Sequence, residues 1–233
     1  MSLYIKGVQK TTMIDFPGKL AATIFTGKCN FRCPFCHNPE LVLRHEKLPT
    51  IPEEEILDFL KERKNWLDGI CITGGEPTLH KELIPFIEKV KALGLEVKLD
   101  TNGSNPEMVK HLLENKLVDY IAMDIKSDKE HYNAAIGVNF PIQIIEQTIN
   151  IIRNSNIAYE FRTTVVPTFY NEAIAKNIGE WLKGSKLYIL QQYNNEHAMI
   201  DEKFLKIFPY PEEKLYKFAE LVKPYFKKVE VRV

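Results

Sequence analysis

The feature that most constrains the fold is an alternation. Short runs rich in isoleucine, valine and threonine take turns with amphipathic segments along nearly the whole chain. Residues 20–26 (LAATIFT) read as a strand. Residues 52–66 read as a helix with Ile56, Phe59 and Leu60 on its apolar face, and Thr50 with Glu53 predicts a capping box at its start. A strand at 69–73 (GICIT) precedes a helix over 80–93 that places Leu83, Ile87 and Val90 on one side. A strand at 95–100 (LEVKLD) precedes a helix that begins at Pro106, is capped by Ser104 or Asn105, and buries Val109, Leu112 and Leu113. A strand at 118–125 is followed by a helix at 141–153, where Ile142, Ile145, Ile149 and Ile152 recur at helical spacing. A strand at 157–166, a helix near 171–183, a strand at 186–191, a helix near 211–226 and a last strand at 228–233 complete the series.

About six β-then-α units with right-handed crossovers specify an α/β fold with a parallel sheet, either open and doubly wound or curved into a partial barrel. Either way, ligands belong beyond the carboxyl ends of the strands. The 233 residues read as a single domain, 1–233, with no linker, low-complexity run or internal repeat beyond the alternation.

The unusual residues fall on that predicted rim. Cys29, Cys33 and Cys36 follow the first strand of the series, and Gly74, Gly75 and Glu76 follow the second. The segment DTNG, with Asp100 and Thr101, ends the third, and MDIK, with Asp124 and Lys126, ends the fourth. Arg162 lies in the fifth, and Asn194 and His197 follow the sixth.

The spacing of the thiols narrows their use. Three residues separate the first pair and two the second, within KCNFRCPFCHNP. Formal net charge is zero, so no global field attracts nucleic acid or an anionic membrane. No stretch reaches the roughly 20 apolar residues needed to span a bilayer, and the N-terminus has no signal-peptide core. The reading is a soluble cytoplasmic protein, in which clustered cysteines point to metal rather than disulfides. Structural zinc takes four closed ligands, usually as two pairs, whereas these pairs overlap at Cys33. His37 could be a fourth ligand but adjoins Cys36, and Cys71 sits mid-strand as a small core residue. A cubane iron–sulfur cluster normally takes four thiolates, so three would leave one iron open to an outside ligand. Iron–sulfur is the favoured reading; a zinc loop or structural thiols are the others.

Cx3Cx2C after the first strand of a βα series resembles the radical S-adenosylmethionine (radical SAM) superfamily. The stretch 15–41, DFPGKLAATIFTGKCNFRCPFCHNPEL, is similar to the glycyl-radical-enzyme activases, and most similar to the branch that activates anaerobic ribonucleoside-triphosphate reductase. TGGEP, LDTNG, MDIK and FRTTVVP follow in the family's order, so the resemblance covers about residues 15–195. It implies a partial (βα)6 barrel of parallel strands. It implies one [4Fe-4S] cluster held by Cys29, Cys33 and Cys36, whose fourth iron binds S-adenosyl-L-methionine. The implied chemistry is reductive cleavage of that cofactor to a 5′-deoxyadenosyl radical, which takes a hydrogen atom from a glycine of a partner enzyme. The implied partners are a glycyl radical enzyme, here anaerobic ribonucleotide reductase, and a flavodoxin- or ferredoxin-type electron donor.

The resemblance also assigns cofactor-binding roles. Phe35 stands at the aromatic position near the adenine; by itself it reads as a loop aromatic tucked into the core. Gly74, Gly75 and Glu76 match the segment that approaches the methionine amino group; alone they make a strand-to-helix turn. Asp100, Thr101 and Asp124 match positions that surround the cofactor carboxylate and can hold a monovalent cation, without which the carboxylates would repel. Lys126 and Arg162 match positive groups of the same cavity, although a strand arginine could equally pair with Glu160 or a helix acid. Asn194 stands where some activases have a cofactor-contacting histidine, and His197 reads as a solvated loop residue. Phe16 and Lys19 depart from the family pattern in a segment expected near the partner's glycine loop. Two other classes stay open: a radical enzyme acting on a small molecule such as a deazapurine precursor, and a non-enzymatic metal-binding module.

Overall fold

The computed structural model describes residues 3–233. Strand β1 (Ile5–Thr12) leads to β2 (Ala21–Thr26), the short helix α1 (Pro39–Leu43) and α2 (Glu53–Arg63). Then come β3 (Gly69–Gly74), α3 (Leu83–Ala92), β4 (Glu96–Thr101), α4 (Pro106–Glu114) and β5 (Tyr120–Asp124). The rest comprises α5 (Tyr132–Ile136), α6 (Ile142–Arg153), β6 (Ala158–Val165), α7 (Glu172–Trp181), β7 (Leu187–Gln192), α8 (Glu212–Val222) and β8 (Lys228–Arg232). No helix of the described residues is long and apolar enough to cross a membrane.

Every strand expected from the alternation is present within a residue or two. The sequence reading missed β1, α1 and α5. Strand β1 (IKGVQKTT) is half polar and pairs antiparallel along one side of β2, so it carries little apolar periodicity. The capping box at α2 is corrected by the structure. Pro52 occupies the N-cap with no side-chain bond. Glu53 instead turns inward, where its carboxylate accepts from the Leu3 amide at 3.1 Å and from Lys89 Nζ at 2.6 Å. A buried carboxylate gains more from an amide and an ammonium than from a solvated helix end. At α4 the expectation stands: Asn105 Oδ1 accepts from the Met108 amide at 3.2 Å, directly before Pro106.

Two compact units make up the chain. The first runs to Asn30 and includes Glu40–Ala122 and Gln147–Ala158; the second comprises Phe31–Pro39, Met123–Glu146 and Tyr159–Val233. In the first unit β2, β3 and β4 are parallel neighbours, in a register that sets Cys71 opposite both Thr23 and Lys98. In the second unit β6, β7 and β8 are likewise parallel and in chain order. This is an α/β fold with a mostly parallel sheet.

Strands β2 to β5 are mostly buried, and the helices contribute their apolar stripes. Ile145, Ile149 and Ile152 of α6 are at most 2% exposed, and each such side chain stabilises by roughly 1.5–3 kcal/mol. Phe16 packs with Ala21, Tyr120 and Ala122, among the amino-terminal residues of β2 and β5. The Phe16 ring itself is thus a core residue, 2% exposed. It fills core at the end of the strands opposite to Cys29, where burial of an aromatic ring stabilises the unit. Lys19 forms an ion pair with Glu96 at 2.7 Å, on the surface of the same unit.

Candidate active site

In the first unit, the chain leaving β2 is held on every side before it reaches Cys29. His80, 8% exposed, donates from Nε2 to the Gly27 carbonyl at 2.7 Å. Because a carbonyl only accepts, Nε2 carries the proton, and burial lowers the pKa so that the ring stays neutral. The Lys28 amide donates to the Leu41 carbonyl, and the Lys28 carbonyl accepts from the Glu76 amide, both at 2.8 Å. Lys28 itself sits at φ +71°, where a glycine is normally favoured. Gly75 is required by this contact. A Cβ there would stand 2.7 Å from the Lys28 carbonyl carbon and nearer still to its oxygen. Gly74, at φ +111°, turns the chain against Thr26 in the same way.

Glu76 is 1% exposed, and both its oxygens are engaged within the protein. Oε1 accepts from the Thr78 amide, the Thr78 hydroxyl and the Thr101 hydroxyl, and Oε2 from the Asn102 amide at 2.6 Å. Burial raises its pKa despite these donors. Its carboxylate thus ties the end of β3 to the end of β4. Asn102 extends the tie to the cysteine: Nδ2 donates to Asn30 Oδ1 at 3.0 Å and approaches Cys29 Sγ at 3.8 Å. Asp100 is matched by Lys98, which is 2% exposed and in ion-pair contact with it. The Cys71 thiol lies 3.6 Å from the Lys98 ammonium and 3.7 Å from Asp100 Oδ1.

The second unit holds the other two thiols. The Cys36 amide donates to the Cys33 carbonyl at 3.0 Å. The Arg32 amide donates to the Ile136 carbonyl at 2.8 Å, and Gly137, at φ +67°, lies so close that a Cβ would meet the Arg32 carbonyl. Phe35, 5% exposed, packs between Phe169 and Phe204, with ring centroids 5.8 and 6.3 Å away. His37 Nε2 donates to the Asn194 carbonyl at 2.8 Å, and its ring stacks on Tyr193. The Asn194 side chain accepts from the Glu196 amide at 2.7 Å.

Asp124 is clasped by two cations of this unit, Arg162 Nε at 2.5 Å and Lys126 Nζ at 2.9 Å. Burial alone would raise the Asp124 carboxyl, but the guanidinium and ammonium together hold it well below the usual carboxylate range. Burial alone would likewise lower Lys126; Asp124 and the nearby Cys33 sulfur hold its ammonium charged. Burial raises the Cys36 thiol, and the charges of Lys126 and Arg32 counter it. Lys126 is thus the cation beside both cysteines, and at Cys36 it offsets only part of the rise that burial causes.

A family model described as the radical SAM superfamily matches residues 23–178. The chain belongs to the radical SAM superfamily. Among its relatives is a protein of Methanocaldococcus jannaschii, named a candidate glycyl-radical enzyme activating enzyme. It is 36% identical over 242 residues, spanning 100% of this chain and 97% of its own. A pyruvate formate-lyase-activating enzyme of Clostridium pasteurianum is 26% identical over 170 residues, covering 70% of this chain and 69% of that protein. These relatives set the chain among the glycyl-radical-enzyme activating enzymes of the superfamily. Among solved structures, Streptococcus suis SuiB bound to its precursor peptide SuiA superposes with a TM-score of 0.67 at 14% identity. That match covers 91% of this chain and 48% of SuiB, a likeness of fold.

Membership implies S-adenosylmethionine and a [4Fe-4S] cluster. The donor chemistry fits such a group. Cys29, Cys33 and Cys36 are thiols rather than disulfides, one bears an amide donor and two face an ammonium.

The site's sequence-predicted residues are thus brought together in two sets. Cys29, Gly74, Gly75, Glu76, Asp100 and Thr101 gather in the first unit, and Cys33, Phe35, Cys36, Asp124, Lys126, Arg162 and Asn194 lie in the second. Reading the sequence missed Lys98, His80 and Gly137 and gave Asn102 only to a turn. For Lys98 a signal exists: a lysine inside the apolar run LEVKLD, two residues from Asp100 and so on the same face.

The Asp124 clasp of this radical SAM protein predicts an acid response. A carboxyl depressed in the folded state contributes stability that is present above its ordinary pKa and lost as pH falls below it. Asp124→Asn should cost about 3 kcal/mol at neutral pH, because it leaves two cations facing a neutral amide. The deficit should shrink below pH 3.8, the ordinary carboxyl value, as the natural chain loses the same advantage. Melting temperatures of both proteins between pH 7 and 3 measure the difference; a constant gap would exclude the clasp.

Proposed function

We propose that the chain activates a glycyl radical enzyme, and that anaerobic ribonucleotide reductase is the partner. In this reading Cys29, Cys33 and Cys36 hold a [4Fe-4S] cluster that leaves one iron for S-adenosyl-L-methionine. The observation that carries the reading is the set of three thiols, one bearing an amide donor from Asn102 and two countered by the Lys126 charge. The full-length similarity to a candidate activating enzyme supports it. When bound, the cluster and nucleotide supply one-electron reductive cleavage of a sulfonium, with the electron delivered by a flavodoxin- or ferredoxin-type donor.

The chain's own residues position and polarise. Glu76, Thr101 and Asn102 fix the ends of β3 and β4 around Cys29. Lys126 sets its positive charge beside Cys33 and Cys36, and Asp124 with Arg162 holds that ammonium in place. Phe35 offers its ring from the Phe169–Phe204 cluster, and His37 anchors the segment that carries Asn194. The proposed setting is the anaerobic cytoplasm.

Anaerobic reconstitution with iron and sulfide, followed by reductant and S-adenosylmethionine, tests the proposal. Formation of 5′-deoxyadenosine, with a glycyl radical resonance when anaerobic ribonucleotide reductase is added, is the expected result. Nucleoside without any protein radical would reject the activase reading in favour of a small-molecule substrate. No nucleoside at all would reject the radical chemistry.

A further inference from the structure

The family resemblance implies an alkali cation beside Asp100. The structure supplies the charge differently. Lys98 lies two residues before Asp100 on the same face of β4, is 2% exposed, and sets its ammonium in contact with the Asp100 carboxylate. Its Nζ lies 3.6 Å from the Cys71 sulfur and 6.0 Å from the centre of the Tyr120 ring. Strand register enforces this arrangement, because Lys98 stands directly opposite Cys71. Asp124, the other acid implied in such a site, has its own two cations in Arg162 and Lys126. An alkali ion at Asp100 would face a fixed positive charge already on that carboxylate, at a point shielded from water where like charges repel strongly.

We propose that Lys98 is the built-in counterion of Asp100, standing in for an alkali cation, so that the site takes its nucleotide without sodium or potassium. The proposal rests on the function proposed above only in naming S-adenosylmethionine as that nucleotide. Lys98 is a positioning residue: it holds the charge and direction of the Asp100 carboxylate.

Two measurements test it. The reconstituted protein is titrated with S-adenosylmethionine in potassium, sodium and choline chloride at equal ionic strength. Dissociation constants that agree within about twofold are expected, and a weakening of about tenfold or more in choline overturns the proposal. Lys98→Met should weaken binding in choline by about tenfold and recover in potassium, and Lys98→Gln, which keeps a donor toward Asp100, serves if the methionine variant does not fold. The second measurement needs neither cluster nor nucleotide. Equilibrium dialysis of the chain against thallium(I), a potassium surrogate, should show uptake by the folded neutral variant and none by the natural protein. Uptake by the natural protein, or none by the folded variant, overturns the proposal. Absence of nucleotide binding in every salt would reject the function proposed above, and the thallium comparison would still decide the role of Lys98.

Discussion

Cys33→Ala is expected to remove both the bound iron and the cleavage of S-adenosylmethionine. Loss of an outer-shell partner of a metal ligand costs about 10–100-fold in affinity, and losing a thiolate itself should exceed about 100-fold. Cys33 should be the most sensitive of the three thiols, because its charge and that of Lys126 favour one another. Removing it takes away a ligand and also one of the negative partners that hold the Lys126 ammonium charged. Iron content and visible absorbance after anaerobic reconstitution measure the effect. Cys71→Ala is the control. Cys71 is a buried β3 residue whose thiol meets Lys98 and Asp100 rather than the cysteine loop, so that variant should retain iron. Equal iron loss in both variants would remove the assignment of the loop thiols.

Gly75→Ala carries the second large effect. The added methyl group would stand 2.7 Å from the Lys28 carbonyl carbon, which is backbone and cannot rotate away. The Lys28 carbonyl also accepts from the Glu76 amide, so moving it breaks a bond next to a buried carboxylate. Overpacking of this kind costs about 1–3 kcal/mol, and losing the bond adds roughly 1 kcal/mol. For a chain of 233 residues, a loss of about 3 kcal/mol lowers the melting temperature by roughly 6–12 °C. Cys29 follows Lys28 directly, so iron uptake should fall as well. A Gly75→Ala protein that melts within about 2 °C of the natural one would show that the turn has room the structure does not display.

The sequence was legible where the physics is local. Strand and helix positions follow from periods of about 2 and 3.6 residues, which covalent geometry fixes within each segment. Strand β1 escaped because a half-polar strand at the antiparallel side of β2 has no clear period. The capping box at Thr50 and Glu53 obeyed a local rule, and a tertiary bond from Leu3 and Lys89 overrode it. Phe16 read only as a departure from the family pattern; its burial against Tyr120 came from packing between distant segments.

By itself the sequence determined the α/β alternation, the set of polar residues at the strand ends and the three-thiol loop, because each depends on spacing along one short stretch. Only the tertiary structure decided how those groups are used. It gave Glu76 four internal donors, gave Asp100 the ammonium of Lys98, gave Asp124 two cations, and made Gly75 a contact for the carbonyl before Cys29. The reason is that charge pairing and close backbone approach depend on the register between strands and on turns that meet in space. A one-residue shift of β4 against β3 would turn Lys98 to the other face and leave every local pattern unchanged.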